Sequence, residues 1–160
     1  MPKFTAFQRF GQSVSISLGS VTIEDPVILA PMSGVTDLPF RDIVDVMLRV
    51  HAGAFSFEAG NVRHAHEWKV WQEVKLPDDR LILPGVVSHA TNVVEHPELV
   101  AERICRFADV VGRERVIAGT DCGFGTFAGY GKLDPDISFK KLRAMVEGAA
   151  IASKRLWGRA

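Results

Sequence analysis

Four times along this chain a short apolar run leads into a polar loop and then into a helical pattern. The runs are Val27–Ala30, Ala54–Phe57, Leu81–Val87 and Val116–Ala118. Such strand–helix alternation predicts parallel strands joined by right-handed crossovers. Eight units of this kind close a (β/α)8 TIM-type barrel of about 250 residues. A chain of 160 residues with about four units is therefore an α/β half-barrel or a small open parallel sheet. A half-barrel has two unpaired edges that must be covered or paired. The count thus predicts a homo-oligomer that completes the barrel.

The runs differ in ways that predict their surroundings. Val27–Ala30 is continuously apolar, as expected of a strand buried on both faces. Thr36 or Asp37 can cap the helix that follows, with Pro39 in its first turn and Phe40, Ile43, Val44, Met47 and Leu48 on one face. After Ala54–Phe57 comes a helix carrying Trp68 and Trp71. Pro84 inside Leu81–Val87 predicts a bulge or a strand end. The next helix begins at Pro97, buries Val100, Ile104, Phe107, Ala108 and Val111, and stops at Gly112. The last is capped near Asp136 or Ser138 and buries Leu142, Met145, Val146, Ala149, Ser153 and Leu156. Upstream, residues 1–18 are a lead-in whose end, Val14–Leu18, pairs across Gly19-Ser20 with Val21–Ile23 as an N-terminal β-hairpin.

Charge and cysteine usage narrow the function classes. Lys+Arg and Asp+Glu both number 19, so there is no electrostatic footprint for nucleic acid or an anionic membrane. The two cysteines, Cys105 in a helical pattern and Cys122 in a loop, suggest no disulfide framework and favour a reducing compartment. No apolar run approaches the ~20 residues that span a bilayer, and the first residues lack the apolar core of a signal peptide. A cytoplasmic location is expected. No Gly-x-Gly-x-x-Gly, Walker A or Gly-x-Ser-x-Gly is present, so nucleotide binding and serine hydrolysis have no motif to rest on.

In parallel α/β folds the ligand sits beyond the carboxyl ends of the strands. Those loops hold Met32, Ser33 and Asp37; then Glu58, Asn61, Arg63, His64 and His66; then Ser88, His89, Thr91 and Asn92; and finally Asp121 and Cys122. Glu58, His89 and Cys122 come from three neighbouring strands and form an O/N/S set suited to zinc. Cys122 stands in Val116-Ile-Ala-Gly-Thr-Asp-Cys-Gly-Phe-Gly125, where a thiol can bind a soft metal or attack a substrate. It equally fits a small buried hydrophobe in a tight turn. His64 and His66, two residues apart, point to different helix faces and read as solvated helix-start residues. Trp68 and Trp71 read as packing, and His96 as a helix-entry residue.

Two segments carry family resemblances. The pieces Phe57-Glu-Ala-Gly-Asn-Val-Arg-His64, Leu83-Pro-Gly-Val-Val87, Glu95-His-Pro-Glu-Leu-Val-Ala-Glu-Arg103 and Gly119-Thr-Asp-Cys-Gly-Phe-Gly125 occur in order. Together they resemble the C-terminal part of cobalamin-independent methionine synthase-like proteins, over about Phe55 to Trp157. That family is a zinc-dependent (β/α)8 barrel that moves a methyl group from a methylated folate to the thiol of homocysteine. Close relatives add the thiol of coenzyme M to an epoxide. The resemblance implies that Glu58 and Cys122 are zinc ligands and that His89 lies near a proton-delivering histidine. Asp121, beside Cys122, is a further catalytic candidate. The family's other two ligands form a His-x-Cys pair, which does not occur here.

Residues Gly19 to about Leu48, with Ile23-Glu-Asp-Pro-Val-Ile-Leu-Ala-Pro-Met-Ser-Gly-Val-Thr-Asp-Leu-Pro-Phe-Arg41, resemble the first βα unit of tRNA-dihydrouridine synthases. This implies an FMN-binding barrel in which Ala30, Pro31 and Met32 lie under the flavin. The family's catalytic Cys loop, phosphate-binding loops and RNA-binding helical domain have no counterpart. The organisation predicted is one compact domain: lead-in 1–18, a dihydrouridine-synthase-like unit 19–52 and methionine-synthase-like units 53–160, joined near Arg49 to Gly53. The leading expectation is zinc-dependent methyl or alkyl transfer from a small-molecule donor to a thiol. The alternatives are a non-enzymatic barrel module that self-assembles, and an FMN-dependent fragment.

Overall fold

The computed structural model describes residues 16–18, 21–23, 28–29, 40–124 and 133–158, with side chains from residue 42 onward in the last two spans. Strands β1 (Ile16–Leu18) and β2 (Val21–Ile23) form the expected antiparallel hairpin, with Ser17 opposite Thr22. Strands β3 (Ile28–Leu29), β4 (Ala54–Phe57), β5 (Leu81–Val87) and β6 (Gly119–Thr120) form one four-stranded sheet in sequential order. Every pairing in it is parallel. Sequential parallel order requires each connection to cross over, which helices α1 (Phe40–Met47), α2 (Val70–Glu73) and α3 (Pro97–Val111) supply. Helix α4 (Pro135–Trp157) ends the described chain.

The layers follow from alternation along the strands. Phe55, Phe57 and Ile82 face a core built with Val44 and Met47 of α1, Trp71 of α2 and Phe107 of α3. Phe57 stacks on Trp71 with ring centres 5.3 Å apart and meets Phe107 edge-on at 5.8 Å. Trp71 and Ile43, Val44, Met47 and Leu48 of α1 thus pack as their spacing predicts; β3 joins the sheet, and α1 the core, of the units after residue 53. A second core joins Val86 and Val87 to Val100, Ile104 and Ala152. The opposite sheet face, with Ala54, Leu81, Leu83 and Ile117, is less covered, since Leu83 and Ile117 are only half-buried.

Four sequence expectations need correction. The fourth strand pairs at Gly119–Thr120, and Val116 makes only an isolated bridge to Ile82. Pro84, which lies between these two pairings on β5, has no N–H to give the ladder, and the register shifts only beyond Gly85. Helix α4 is capped by Asp134, whose carboxylate accepts from Asp136 N at 2.8 Å, with Pro135 at its first position. The fully buried face of α4 is Lys141, Ala144, Gly148 and Ala152; of the expected stripe Met145, Ala149 and Leu156 pack half-buried on the second core, whereas Val146 is 66% exposed and Ser153 is exposed. Close approach selects this face: a Cβ on Gly148 would stand 2.5 Å from Val100 Cβ and 2.7 Å from Pro97 O. The helix carrying the two tryptophans is a single 3-10 turn, Glu67–Lys69, followed by the short α2. Among the described residues no helix is long and apolar enough to cross a membrane.

Candidate metal centre

The sheet order brings three strand ends side by side. Glu58 directly follows β4, Ser88 and His89 follow β5, and Asp121 and Cys122 follow β6. Asp121 N continues the parallel pairing by donating to Val87 O at 3.1 Å. Glu58, His89 and Cys122 each offer a ligand atom within 4.8 Å of the other two. The Cys122 thiol donates a hydrogen bond to Glu58 Oε1. Glu58 is buried, and His89 and Cys122 are half-buried. His89 Nδ1 is buried without a hydrogen-bond partner among the described residues.

This donor set fits zinc. Carboxylate, imidazole and thiolate are its usual ligands, and bonds of about 2.0–2.3 Å in a tetrahedral site put ligand atoms roughly 3.3–3.8 Å apart. A spread of at most 4.8 Å closes to that span with small side-chain movements. Three protein ligands and one open position are the arrangement of catalytic, rather than structural, zinc.

The surrounding groups aim Glu58. Asn61 Nδ2 donates to Glu58 Oε2 at 2.8 Å and lies 3.3 Å from Asp121 Oδ2. His64 Nε2 stands 3.6 Å from Glu58 Oε2, and its Nδ1 is 2.9 Å from Glu67 Oε1. His64 is therefore buried in a network, which corrects its reading as a solvated residue; His66 is exposed as expected. Asp121 is wholly buried, and its Oδ1 accepts from Ala59 N at 3.0 Å and Gly60 N at 2.7 Å. That carboxylate ties the end of β6 to the loop holding Glu58. Gly60 and Gly85 make room for it, because a Cβ on either would come within 3.0 Å or 2.2 Å of Asp121 Oδ1.

Beside Glu58 and His89 opens a cavity of about 620 Å³. Exposed Val62, Val93, Val94 and Leu99 form an apolar wall. Arg103 reaches its rim and donates to Val86 O at 2.8 Å. Burial lowers the Arg103 pKa, opposed by Glu95 and Asp121 nearby. Glu95, also on the wall, accepts from Ser88 N at 2.7 Å and pairs with Lys141 at 2.9 Å. Sequence reading missed Lys141 and Glu67 as parts of this end of the sheet; nothing in their local pattern separates them from surface charges. Met32, Ser33, Asp37 and the flavin-contact candidates Ala30, Pro31 and Met32 lie outside the described residues.

No family model matches the chain. A stretch of 31 residues is 58% identical to a probable tRNA-dihydrouridine synthase of Rhodobacter capsulatus, covering 19% of this chain and 10% of that protein. The structure of a B12-independent methionine synthase from Shewanella sp. W3-18-1, in complex with selenomethionine, superposes with a TM-score of 0.59. That match is 20% identical and covers 75% of this chain but 32% of the other. The chain thus shares a fold with about a third of that methionine synthase, and spans a tenth of the synthase that its short stretch matches.

Proposed function

We propose that the chain holds one zinc ion through Glu58, His89 and Cys122 and supports transfer of a methyl or alkyl group to a small-molecule thiol. One observation carries this reading: the three donors converge from separate strands on one point beside a cavity. The fold likeness to a B12-independent methionine synthase supports it. Zinc bound there would supply Lewis acidity that holds a substrate thiol as thiolate near neutral pH.

The chain's own residues supply the rest. Glu58 and Cys122 bring the anionic donors that favour a dication, and Asn61 holds the Glu58 carboxylate in one orientation. Asp121, with its oxygens engaged by Ala59 N, Gly60 N and Asn61, acts as a positioning residue. His89 completes the ligand set, near the position where the family resemblance implies a proton-delivering histidine. The apolar wall of Val62, Val93, Val94 and Leu99 receives the body of the donor or the thiol.

The four sequential parallel strands represent half of a (β/α)8 barrel in this reading, and a second copy closes it. The half-covered sheet face supports that assembly. Light scattering should give the mass of a dimer, and a monodisperse monomer would remove the assembly. For the metal, protein purified without chelator should carry close to one zinc per chain by elemental analysis. Cys122→Ser and Glu58→Gln should carry far less. Equal, negligible zinc in all three would end the reading and leave a self-assembling module without catalysis. The 31-residue match, 58% identical, favours a second reading, an FMN-dependent fragment; purified protein without flavin absorbance would remove it.

A further inference from the structure

Lys141 is wholly buried, an unusual position for an ammonium group. Burying such a charge costs several kcal/mol unless it is paired and hydrogen-bonded. Here it is both: Nζ lies 2.9 Å from Glu95 Oε2 and also donates to Val93 O. The other Glu95 oxygen accepts from Ser88 N at 2.7 Å, and Ser88 Oγ accepts from Ala90 N at 3.1 Å. The segment from Ser88 to Glu95 is therefore closed into a ring and pinned to α4 at its far side. His89 lies inside that ring, next to the pinned amide. The tight α3–α4 contact at Gly148 seats α4 against the residues that begin α3.

A buried ion pair adds little stability over an apolar pair of similar volume, so stability alone does not account for this one. We infer that Lys141, acting through Glu95, is a positioning residue that fixes the His89 ring at the metal site. This rests on the proposed zinc site for its functional meaning, but the geometric claim can be tested apart from it.

The test uses cobalt(II) as the probe, with the full chain and two variants: Lys141→Met/Glu95→Gln, which removes both charges together, and Lys141→Arg, which keeps the donor. Wild type should bind cobalt with the intense visible bands of a four-coordinate site and a thiolate charge-transfer band from Cys122. The double variant should keep the thiolate band, lose visible intensity and bind about 10–100-fold more weakly, the usual cost of losing an outer partner of a metal site. Lys141→Arg should recover most of the affinity. A folded double variant that binds cobalt like wild type, with the same spectrum, would overturn the inference. Should that variant not fold, Glu95→Gln alone carries the same comparison.

If wild type binds no cobalt, the zinc reading fails, and the inference is then decided by imidazole NMR of the metal-free protein. The His89 ring signals should shift in the variant while those of His51 and His66, away from the substituted residues, hold. Unchanged His89 signals would overturn it.

Discussion

The two ends of the parallel sheet are tied differently: cations close on backbone carbonyls at both, and the carboxyl ends add carboxylates that hold backbone amides. At the amino ends, cations donate to backbone carbonyls: Arg80 to Ala52 O, and Arg115 to Leu76 O, Pro77 O and Arg80 O. At the carboxyl ends, carboxylates accept from backbone amides: Asp121 from Ala59 and Gly60, and Glu95 from Ser88. Both devices fix loops, yet only the second leaves chemistry beside it. The guanidiniums are consumed by the carbonyls they close over. The carboxylates hold backbone in place so that Glu58, His89 and Cys122, one residue or less from each pinned amide or acceptor, meet at one point. The amino end is a clasp, and the carboxyl end is a clasp with a donor set beside it.

If that division is right, substitutions at the two ends separate metal affinity from stability. The largest effect is expected for Cys122→Ser. Zinc affinity, measured against a chromophoric chelator, should fall by more than the ~100-fold that marks the upper range for outer partners. The urea midpoint of the metal-free protein should not move. Gly85→Ala should affect both quantities. Its methyl would stand 2.2 Å from Asp121 Oδ1 and 2.8 Å from Asp121 Cα. Overpacking of this kind costs about 1–3 kcal/mol, read by urea denaturation, and the displaced carboxylate should weaken zinc binding with it.

Arg115→Ala should do the reverse of Cys122→Ser. It removes charged hydrogen bonds from a side chain 21% exposed, and about 1–2 kcal/mol of stability should go with them. Zinc affinity should stay as in wild type. A loss of zinc in Arg115→Ala would erase the distinction between the ends. The smallest effect concerns the two thiols. Burial raises the Cys105 pKa, with Arg155 opposing, so its thiolate fraction at neutral pH is low. Alkylation followed by mass mapping should leave Cys105 slow near neutrality and faster as pH rises, while added zinc protects Cys122.

The sequence exposed some of this and concealed the rest for physical reasons. Glu58 and Cys122 were legible because each follows an apolar strand at the end where parallel folds bind ligands. His89 was legible by the same rule. Lys141 was not, because beside Lys140 it reads as half of a solvated pair, and only the α3–α4 approach at Gly148 shows that it turns inward. His64 was misread since helical spacing governs neighbours on a helix, and residues 61–66 are turns rather than helix. The boundary of β6 slipped because strand ends depend on what the partner strand offers, and on β5 Pro84 has no N–H to give the ladder between Ile82 and Gly85. The apolar stripe of α4 held for Met145, Ala149 and Leu156, which pack half-buried on the second core, and failed at Val146 and Ser153, because the face pressed closest to α3 favours Gly and Ala over larger side chains.

The central claim is that one sulfur and one carboxylate, with an imidazole, share a single ion. Zinc K-edge X-ray absorption on the metal-loaded chain tests it most directly. One sulfur at about 2.3 Å with nitrogen and oxygen neighbours at about 2.0–2.2 Å is the expected shell, and the sulfur should vanish in Cys122→Ser. A shell of nitrogen and oxygen alone in wild type, or one unchanged by Cys122→Ser, would contradict it.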